Sequence, residues 1–65
     1  MRITLNGEPA EVSASALAEV LAELGYGEER VATAVNERFV PAAARGGVTL
    51  APGDRLEVVA PKQGG

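Results

Sequence analysis

Residues 55–65 read Arg-Leu-Glu-Val-Val-Ala-Pro-Lys-Gln-Gly-Gly, and the expected fold follows from this stretch. Val58 and Val59 are β-branched and a turn precedes them, so residues 55–60 are predicted to form a strand. Pro61 lacks an N–H group and has a fixed φ angle, which ends the strand's hydrogen-bond ladder. We therefore expect the residues after the strand to leave the sheet as an extended arm.

That arm ends in two residues without side chains. Gly64 and Gly65 can enter a channel too narrow for other residues, and the carboxylate of Gly65 is sterically open to activation as an acyl donor. At average glycine usage of about 7%, two glycines end a chain by chance roughly once in 200 cases, and a frayed end is the alternative interpretation. We expect a folded domain over residues 1–60 and a flexible diglycine tail over residues 61–65.

Composition excludes several kinds of chemistry. The chain has 65 residues, 46% of them apolar, which is typical of one small folded domain with a thin core. It contains no Cys and no His, so thiolate or imidazole metal sites, disulfides and histidine catalysis are absent. Glu8, Glu11, Glu19 and Glu23 are spread over a predicted hairpin and helix, as on a solvated surface. We expect no catalytic residues, no metal site and no bound cofactor.

The charge distribution gives information about partners. A formal charge of −3 argues against nucleic acid, which requires clustered Lys and Arg. Residues 30–65 are mildly basic and residues 1–29 are acidic, which could steer a partner with an acidic rim, although a random scatter of charges explains it too. The apolar runs are short, so we expect no signal peptide, no membrane span and a cytoplasmic location.

The first part of the chain predicts a hairpin. Arg2–Leu5 alternates apolar and polar residues, and Asn6-Gly7 is the strongest short hairpin signal. The return strand is expected over Glu8–Val12, where Pro9 indicates the edge of a sheet.

A helix is predicted next, over Ala16–Leu24. Ser13 and Ser15 are both plausible N-caps, Gly25 supplies the left-handed residue that ends helices, and Gly27 is a second loop position. The apolar residues recur with helical spacing on one side, so this helix must pack on an apolar surface.

Further strands follow. Val31–Val35 and Arg38–Val40 are predicted strands joined by a turn at Asn36-Glu37. After Pro41 we expect, in order, a helical turn over residues 42–45, a flexible Gly46-Gly47, an extended segment over residues 48–50 and a type II turn over residues 51–54.

These elements predict an α+β roll. With one helix, a single sheet covered on one face is the economical way to bury the apolar residues. Val59 should point away from that core because alternate strand residues lie on opposite faces, and with Arg55 and Lys62 it is a candidate partner-binding surface. The expected core is Ile3, Leu5, Leu17, Val20, Leu21, Leu24, Leu56 and Val58.

Several stretches together resemble a known family. They are Ile3–Glu8, Ala34–Asn36, Phe39–Pro41, and Leu50–Val59 leading to Gln63-Gly64-Gly65. They resemble the ubiquitin-like sulfur carriers, most closely the ThiS family of thiamine thiazole biosynthesis, over essentially the whole chain. The resemblance implies a β-grasp fold, with a mixed sheet, parallel first and last strands, one main helix on one face, and a projecting tail.

The resemblance also implies a chemistry. An E1-like activating enzyme would use ATP and magnesium to adenylate the carboxylate of Gly65. Sulfur from a persulfide, supplied by a cysteine desulfurase or another donor, would then replace an oxygen. The resulting thiocarboxylate would donate sulfur to thiazole synthase, so the protein would be a recycled co-substrate rather than an enzyme.

The chain departs from the family pattern in its middle. Members often have Gly after the Asn of the middle turn and a basic residue after the Pro, where this chain has Glu37 and Ala42. The basic role has either moved to Arg45 or is missing.

Three further functions are compatible with the same sequence features. They are the small subunit of molybdopterin synthase, a modifier that joins Gly65 to a lysine, and a β-grasp interaction module with an idle tail.

Overall fold

The structure is a computed structural model that describes residues 1–26 and 30–60. This part of the chain forms one five-stranded mixed sheet with an α-helix on one face. The strands are β1 (Arg2–Leu5), β2 (Glu8–Glu11), β3 (Ala32–Val35), β4 (Arg38–Val40) and β5 (Arg55–Val59); the helix α1 is Leu17–Glu23, and a 3₁₀ helix covers Ala42–Gly47.

The order of strands across the sheet is β2-β1-β5-β3-β4, so the last strand lies at the centre. β5 pairs in parallel with β1, where Leu5 lies opposite Leu56, and antiparallel with β3, where Thr33 lies opposite Val58. The expected α+β roll with parallel first and last strands is confirmed. β2 lies at an edge, as Pro9 predicts.

Both predicted hairpins form, and their turns have the same backbone geometry. Asn6 and Gly7 have φ angles of 50° and 87°, and Asn36 and Glu37 have φ angles of 51° and 71°. Two positive φ angles define the type I′ turn, which matches the twist of the flanking strands. Glu37 therefore occupies a left-handed conformation at a position where glycine would adopt it without steric cost.

The start of α1 differs from the prediction. The helix begins at Leu17, and its N-cap residue, Ala16, makes no side-chain capping bond, so the assignment of Ser13 or Ser15 as N-cap is wrong. The extended segment that follows the 3₁₀ helix binds the start of α1 instead. The N–H of Leu17 donates to the carbonyl of Val48 at 2.8 Å, which satisfies a helix-start donor with backbone rather than with a serine hydroxyl.

The end of α1 agrees with the sequence. Gly25 has a φ angle of 97°, and its N–H donates to the carbonyl of Ala22 at 3.1 Å. The N–H of Tyr26 donates to the carbonyl of Leu21 at 2.7 Å, which completes a Schellman motif. The predicted loop position at Gly27 lies outside the described residues.

The segment after Pro41 is more regular than expected. Gly46 and Gly47, predicted to be flexible, belong to the 3₁₀ helix. Arg45, in the same helix, directs its guanidinium into the domain, where Nε donates to Thr33 Oγ1 at 3.2 Å and Nη2 donates to the carbonyl of Val31. These bonds attach the 3₁₀ helix to β3, so the contacts give Arg45 a structural role.

The core lies between α1 and the inner face of the sheet. Six of the eight predicted core residues are buried, and Leu5 and Leu24 are partly buried against them. The expected core did not include Val40, Leu50 or Thr33, nor Val12, although Val12 was expected on the inner face of the return strand. The buried apolar residues are Ile3, Val12, Leu17, Val20, Leu21, Val40, Leu50, Leu56 and Val58. No helix in the described ranges is both long enough and apolar enough to cross a membrane.

Glu23, in the last turn of α1, joins the helix to the segment after β2. Its carboxylate accepts the N–H of Ala14 at 3.0 Å and that of Ser13 at 2.8 and 3.0 Å. Hydrogen bonds from the backbone N–H groups hold the pKa of Glu23 below its usual range, and the bond from Ala14 has the larger effect, followed by that from Ser13. Because the pKa is lower in the folded than in the unfolded chain, the stabilisation is present at neutral pH and is lost as the pH falls through the folded-state value.

We therefore predict that Glu23→Gln lowers the melting temperature at pH 7 but has a much smaller effect once the pH lies below the folded-state pKa of Glu23. Circular dichroism melts of parent and variant over this pH range measure the difference. Glu19→Gln, on the same helix, corrects for the general effect of removing one negative charge. A Glu23→Gln effect that is the same at every pH would contradict the role of the ionised carboxylate.

Candidate functional site

The candidate site surrounds the carboxyl end of β5, the strand that leads to residues 61–65. Those residues lie outside the described part of the chain, so the predicted tail and the assignments of Lys62, Gln63, Gly64 and Gly65 stay predictions. The described residues define the surface next to the point where that segment begins.

β5 alternates between the core and the outer face of the sheet. Leu56 and Val58 are buried on the inner face, under α1, whereas Arg55, Glu57 and Val59 are exposed on the other. Val59 is 64% exposed, which confirms that it points away from the core. Its contact with a partner stays a prediction.

A second large apolar side chain lies on the same outer face. Phe39 of β4 is 68% exposed, and the register places it opposite Ala34, which in turn lies opposite Glu57. Val59 lies opposite Ala32, so Phe39 and Val59 flank two small residues of β3. We call Ala32, Ala34, Phe39 and Val59 the outer patch.

The sequence alone did not place Phe39, because strand alternation allows either Phe39 or Val40 to face the core. Val40 is buried, so its neighbour in the same strand must face outward. An exposed phenylalanine beside an exposed valine leaves apolar surface in water, and surfaces of this kind commonly mark contacts with other proteins.

Charged side chains lie beside the outer patch. Arg55 Nη1 is 3.6 Å from Glu37 Oε2, and both side chains are mostly exposed. An exposed pair of this kind contributes little to stability, so the guanidinium can exchange Glu37 for an acidic group on a partner at small cost. Arg55, predicted as a partner-binding residue, thus lies on the same face of β5 as Val59.

Two asparagines hold β5 from its two sides. The N–H of Asn36 donates to the carbonyl of Arg55 at 2.8 Å, and its side-chain Oδ1 accepts the N–H of Arg55 at 3.0 Å. From the other side, Asn6 Oδ1 accepts the N–H of Val58 at 2.9 Å and Nδ2 donates to the carbonyl of Val58 at 3.2 Å. The strand is therefore fixed near both of its ends.

The described residues offer no metal centre, because in residues 1–26 and 30–60 no three carboxylates converge closely enough to hold an ion. The geometry instead presents the exposed outer patch beside the point where residues 61–65 begin. A mixed sheet with parallel β1 and β5 at its centre, two flanking hairpins and one helix defines a ubiquitin-like β-grasp domain.

Comparison with known proteins then gives the family. The model of the ThiS family matches residues 3–65, and the chain belongs to this family. The structure is similar to the crystal structure of a thiamine biosynthesis protein (ThiS) from Geobacter metallireducens, with a TM-score of 0.81 and 26% identity, and the match covers 100% of both chains. The resemblance and the β-grasp fold inferred from the sequence are confirmed.

A curated relative has a different overall length. The chain is 39% identical over 61 residues to a protein of Paramagnetospirillum magneticum named thiazole synthase. The match covers 92% of this chain but only 19% of that protein, so the chain spans about a fifth of the relative's length.

Proposed function

We propose that the chain carries sulfur as a thiocarboxylate on Gly65. An E1-like enzyme would use ATP and magnesium to adenylate this carboxylate, and the sulfur would pass to thiazole synthase. The observation that carries the proposal is the family match, which runs through residue 65 and so includes Gln63-Gly64-Gly65.

The proposed reaction has three steps. A carboxylate oxygen of Gly65 attacks the α-phosphorus of ATP, which forms an acyl adenylate and releases pyrophosphate. The terminal sulfur of a persulfide, formed by a cysteine desulfurase or another donor, attacks the acyl carbon and expels AMP. A thiol then cleaves the acyl disulfide at its outer sulfur, which leaves the thiocarboxylate on the carrier and a new disulfide on the donor side.

The chain itself would be a co-substrate. It contains no Cys or His to act as a nucleophile or a general base, so the partners would supply the reacting groups. The carrier contributes an unhindered acyl end on a narrow tail and a folded domain that partners recognise. The ATP and persulfide donors required are those of the cytoplasm, where we place the protein.

Thiazole synthase is the acceptor that the comparisons favour. A polypeptide with this name includes a stretch similar to nearly the whole chain, and two functions joined in one polypeptide commonly act together. This observation favours thiazole synthase over the molybdopterin synthase reaction. A modifier would instead end with Gly65 joined to a lysine, and an interaction module would leave the tail unreacted, so experiments on Gly65 distinguish both from a carrier.

The outer patch is the proposed docking surface for the activating enzyme. Phe39 and Val59 supply its apolar contacts, and Arg55 supplies a positive charge on the same face. Lys62, in the undescribed segment, is proposed to add a second one. Because this surface lies next to the start of residues 61–65, one enzyme could bind the domain and the carboxylate of Gly65 at the same time.

We predict that Val59→Asp slows adenylation without unfolding the domain. The side chain is largely exposed, so a carboxylate there costs little in the free protein but would be desolvated in an apolar interface. The KM for the carrier, measured by pyrophosphate release, should rise at least about tenfold. Ala18→Asp, exposed on α1, is the matched control and should behave as the parent. Parental KM for Val59→Asp would remove Val59 from the interface.

A second prediction concerns the acyl end. One alanine appended after Gly65 moves the carboxylate by up to about 3.3–3.6 Å and adds a Cβ at the reacting residue. A misplacement of about 1 Å can cost roughly a hundredfold in rate, so the extended protein should fold normally, bind the activating enzyme and release almost no pyrophosphate. Equal rates for the parent and the extended protein would contradict Gly65 as the site of chemistry.

A further inference from the structure

β5 extends further than its neighbour on one side. In the parallel ladder, β1 pairs with Arg55 and Leu56 of β5 and then turns away at Asn6. The antiparallel partner β3 continues to Val59 on the opposite side. The second half of β5 therefore has a strand on the β3 side only, although it leads directly to the tail.

Asn6 takes the place of the missing strand. Its backbone N–H donates to the carbonyl of Leu56 at 2.9 Å, which extends the ladder by one bond. Its side-chain amide then meets both backbone groups of Val58, accepting from the N–H at 2.9 Å and donating to the carbonyl at 3.2 Å. An amide that pairs with the N–H and carbonyl of one residue reproduces what a strand backbone would provide.

The turn geometry makes this contact possible. Asn6 is the first left-handed residue of the hairpin turn, with a φ angle of 50°, and it lies at the point where β1 leaves the ladder. The pair joins residues 52 positions apart, so it fixes one end of the chain to the other.

Asn36 offers a natural comparison within the same domain. It occupies the first position of the other type I′ turn, with a φ angle of 51°, and its side chain also binds the backbone of β5. Its Oδ1 accepts the N–H of Arg55, where the strand begins, and its Nδ2 donates to Asp54 Oδ1 at 3.2 Å. The side chain of Asn6 instead binds Val58, near the point where the strand ends.

We propose that Asn6 is a positioning residue for the chemistry at Gly65, an inference that rests on the proposed function. By holding Val58 on the β1 side, the Asn6 amide fixes the origin from which the tail extends. Seven residues lead from Val58 to Gly65, a span of at most roughly 23–25 Å. If the hydrogen bonds between Asn6 and Val58 open, the residues that lead to Gly65 start from a different position. The carboxylate of Gly65 would then lie in line with the α-phosphorus of ATP less often.

The size of the effect follows from the bonds that are lost. Two hydrogen bonds to one backbone residue shift a local opening equilibrium by roughly tenfold. The kcat falls by the fraction of complexes in which Val58 has opened, so its fall is at most about tenfold. Docking through the outer patch does not involve the Asn6 side chain. The expected result is a lower kcat for adenylation with an unchanged KM for the carrier.

The experiment compares Asn6→Gly with Asn36→Gly in the full chain. Glycine keeps the left-handed turn at both positions, and each variant removes one asparagine that binds β5. Steady-state pyrophosphate release with the cognate activating enzyme gives kcat and KM. Amide hydrogen exchange followed by NMR reports local opening at Val58, and thermal melts report the general loss of stability.

We expect Asn6→Gly to exchange the Val58 amide roughly tenfold faster and to lower kcat by up to the same factor, with KM unchanged. Asn36→Gly should lose comparable thermal stability and keep the parental kcat. Equal kcat for Asn6→Gly and parent, or equal falls in both variants, would overturn the positioning role. If the parent releases no pyrophosphate, the proposed function fails and this inference fails with it.

Discussion

The parallel pairing of β1 with β5 is the constraint on which the rest of the structure depends. It brings Thr4 opposite Arg55 and Leu5 opposite Leu56, so the sheet closes only when the two ends of the chain meet. Ile3 and Leu56, both essentially inaccessible to solvent, come together with Leu17 of α1 in the core because of this pairing. Contacts this distant in sequence carry a large loop-closure cost, which the burial of these side chains must exceed. The first half of β5 lies between β1 and β3, and its second half, which leads towards Gly65, lies between β3 and the side chain of Asn6.

Local signals in the sequence predicted the local structure well. Asn6-Gly7, Pro9 and Gly25 act through their own backbone preferences, and each lies where those preferences require. The parallel pairing of the first and last strands came only from the family resemblance, since no local pattern encodes it. The incorrect assignments have a tertiary cause. No serine caps α1 because an extended segment from later in the chain already binds its first turn, and Gly46-Gly47 is ordered within a 3₁₀ helix whose Arg45 is bonded to β3.

The candidate site also contains features that a local pattern predicts and features that depend on contacts between distant parts of the chain. Strand alternation was sufficient to place Val59 on the outer face, because Leu56 and Val58 together mark the buried side of β5. In the short β4, alternation allows either Phe39 or Val40 to face the core, and only the structure shows that Val40 does. The two hydrogen bonds between the Asn6 amide and the backbone of Val58 could not be predicted, because an Asn-Gly turn requires only the backbone conformation of Asn6. The asparagine thus serves two purposes, as a residue tolerant of the left-handed turn and as a substitute for a strand.

The central claim is that Gly65 carries the sulfur, and the mass of the intact protein tests it most directly. The protein should be purified under non-reducing, anaerobic conditions from its native host grown without thiamine, when demand for the thiazole is high. The account predicts a second species whose mass differs from the parent by the exchange of one oxygen for sulfur, and fragmentation should locate the exchange at Gly65. Under the same conditions, a population that carries only the unmodified carboxylate while the cells make thiamine would contradict the account.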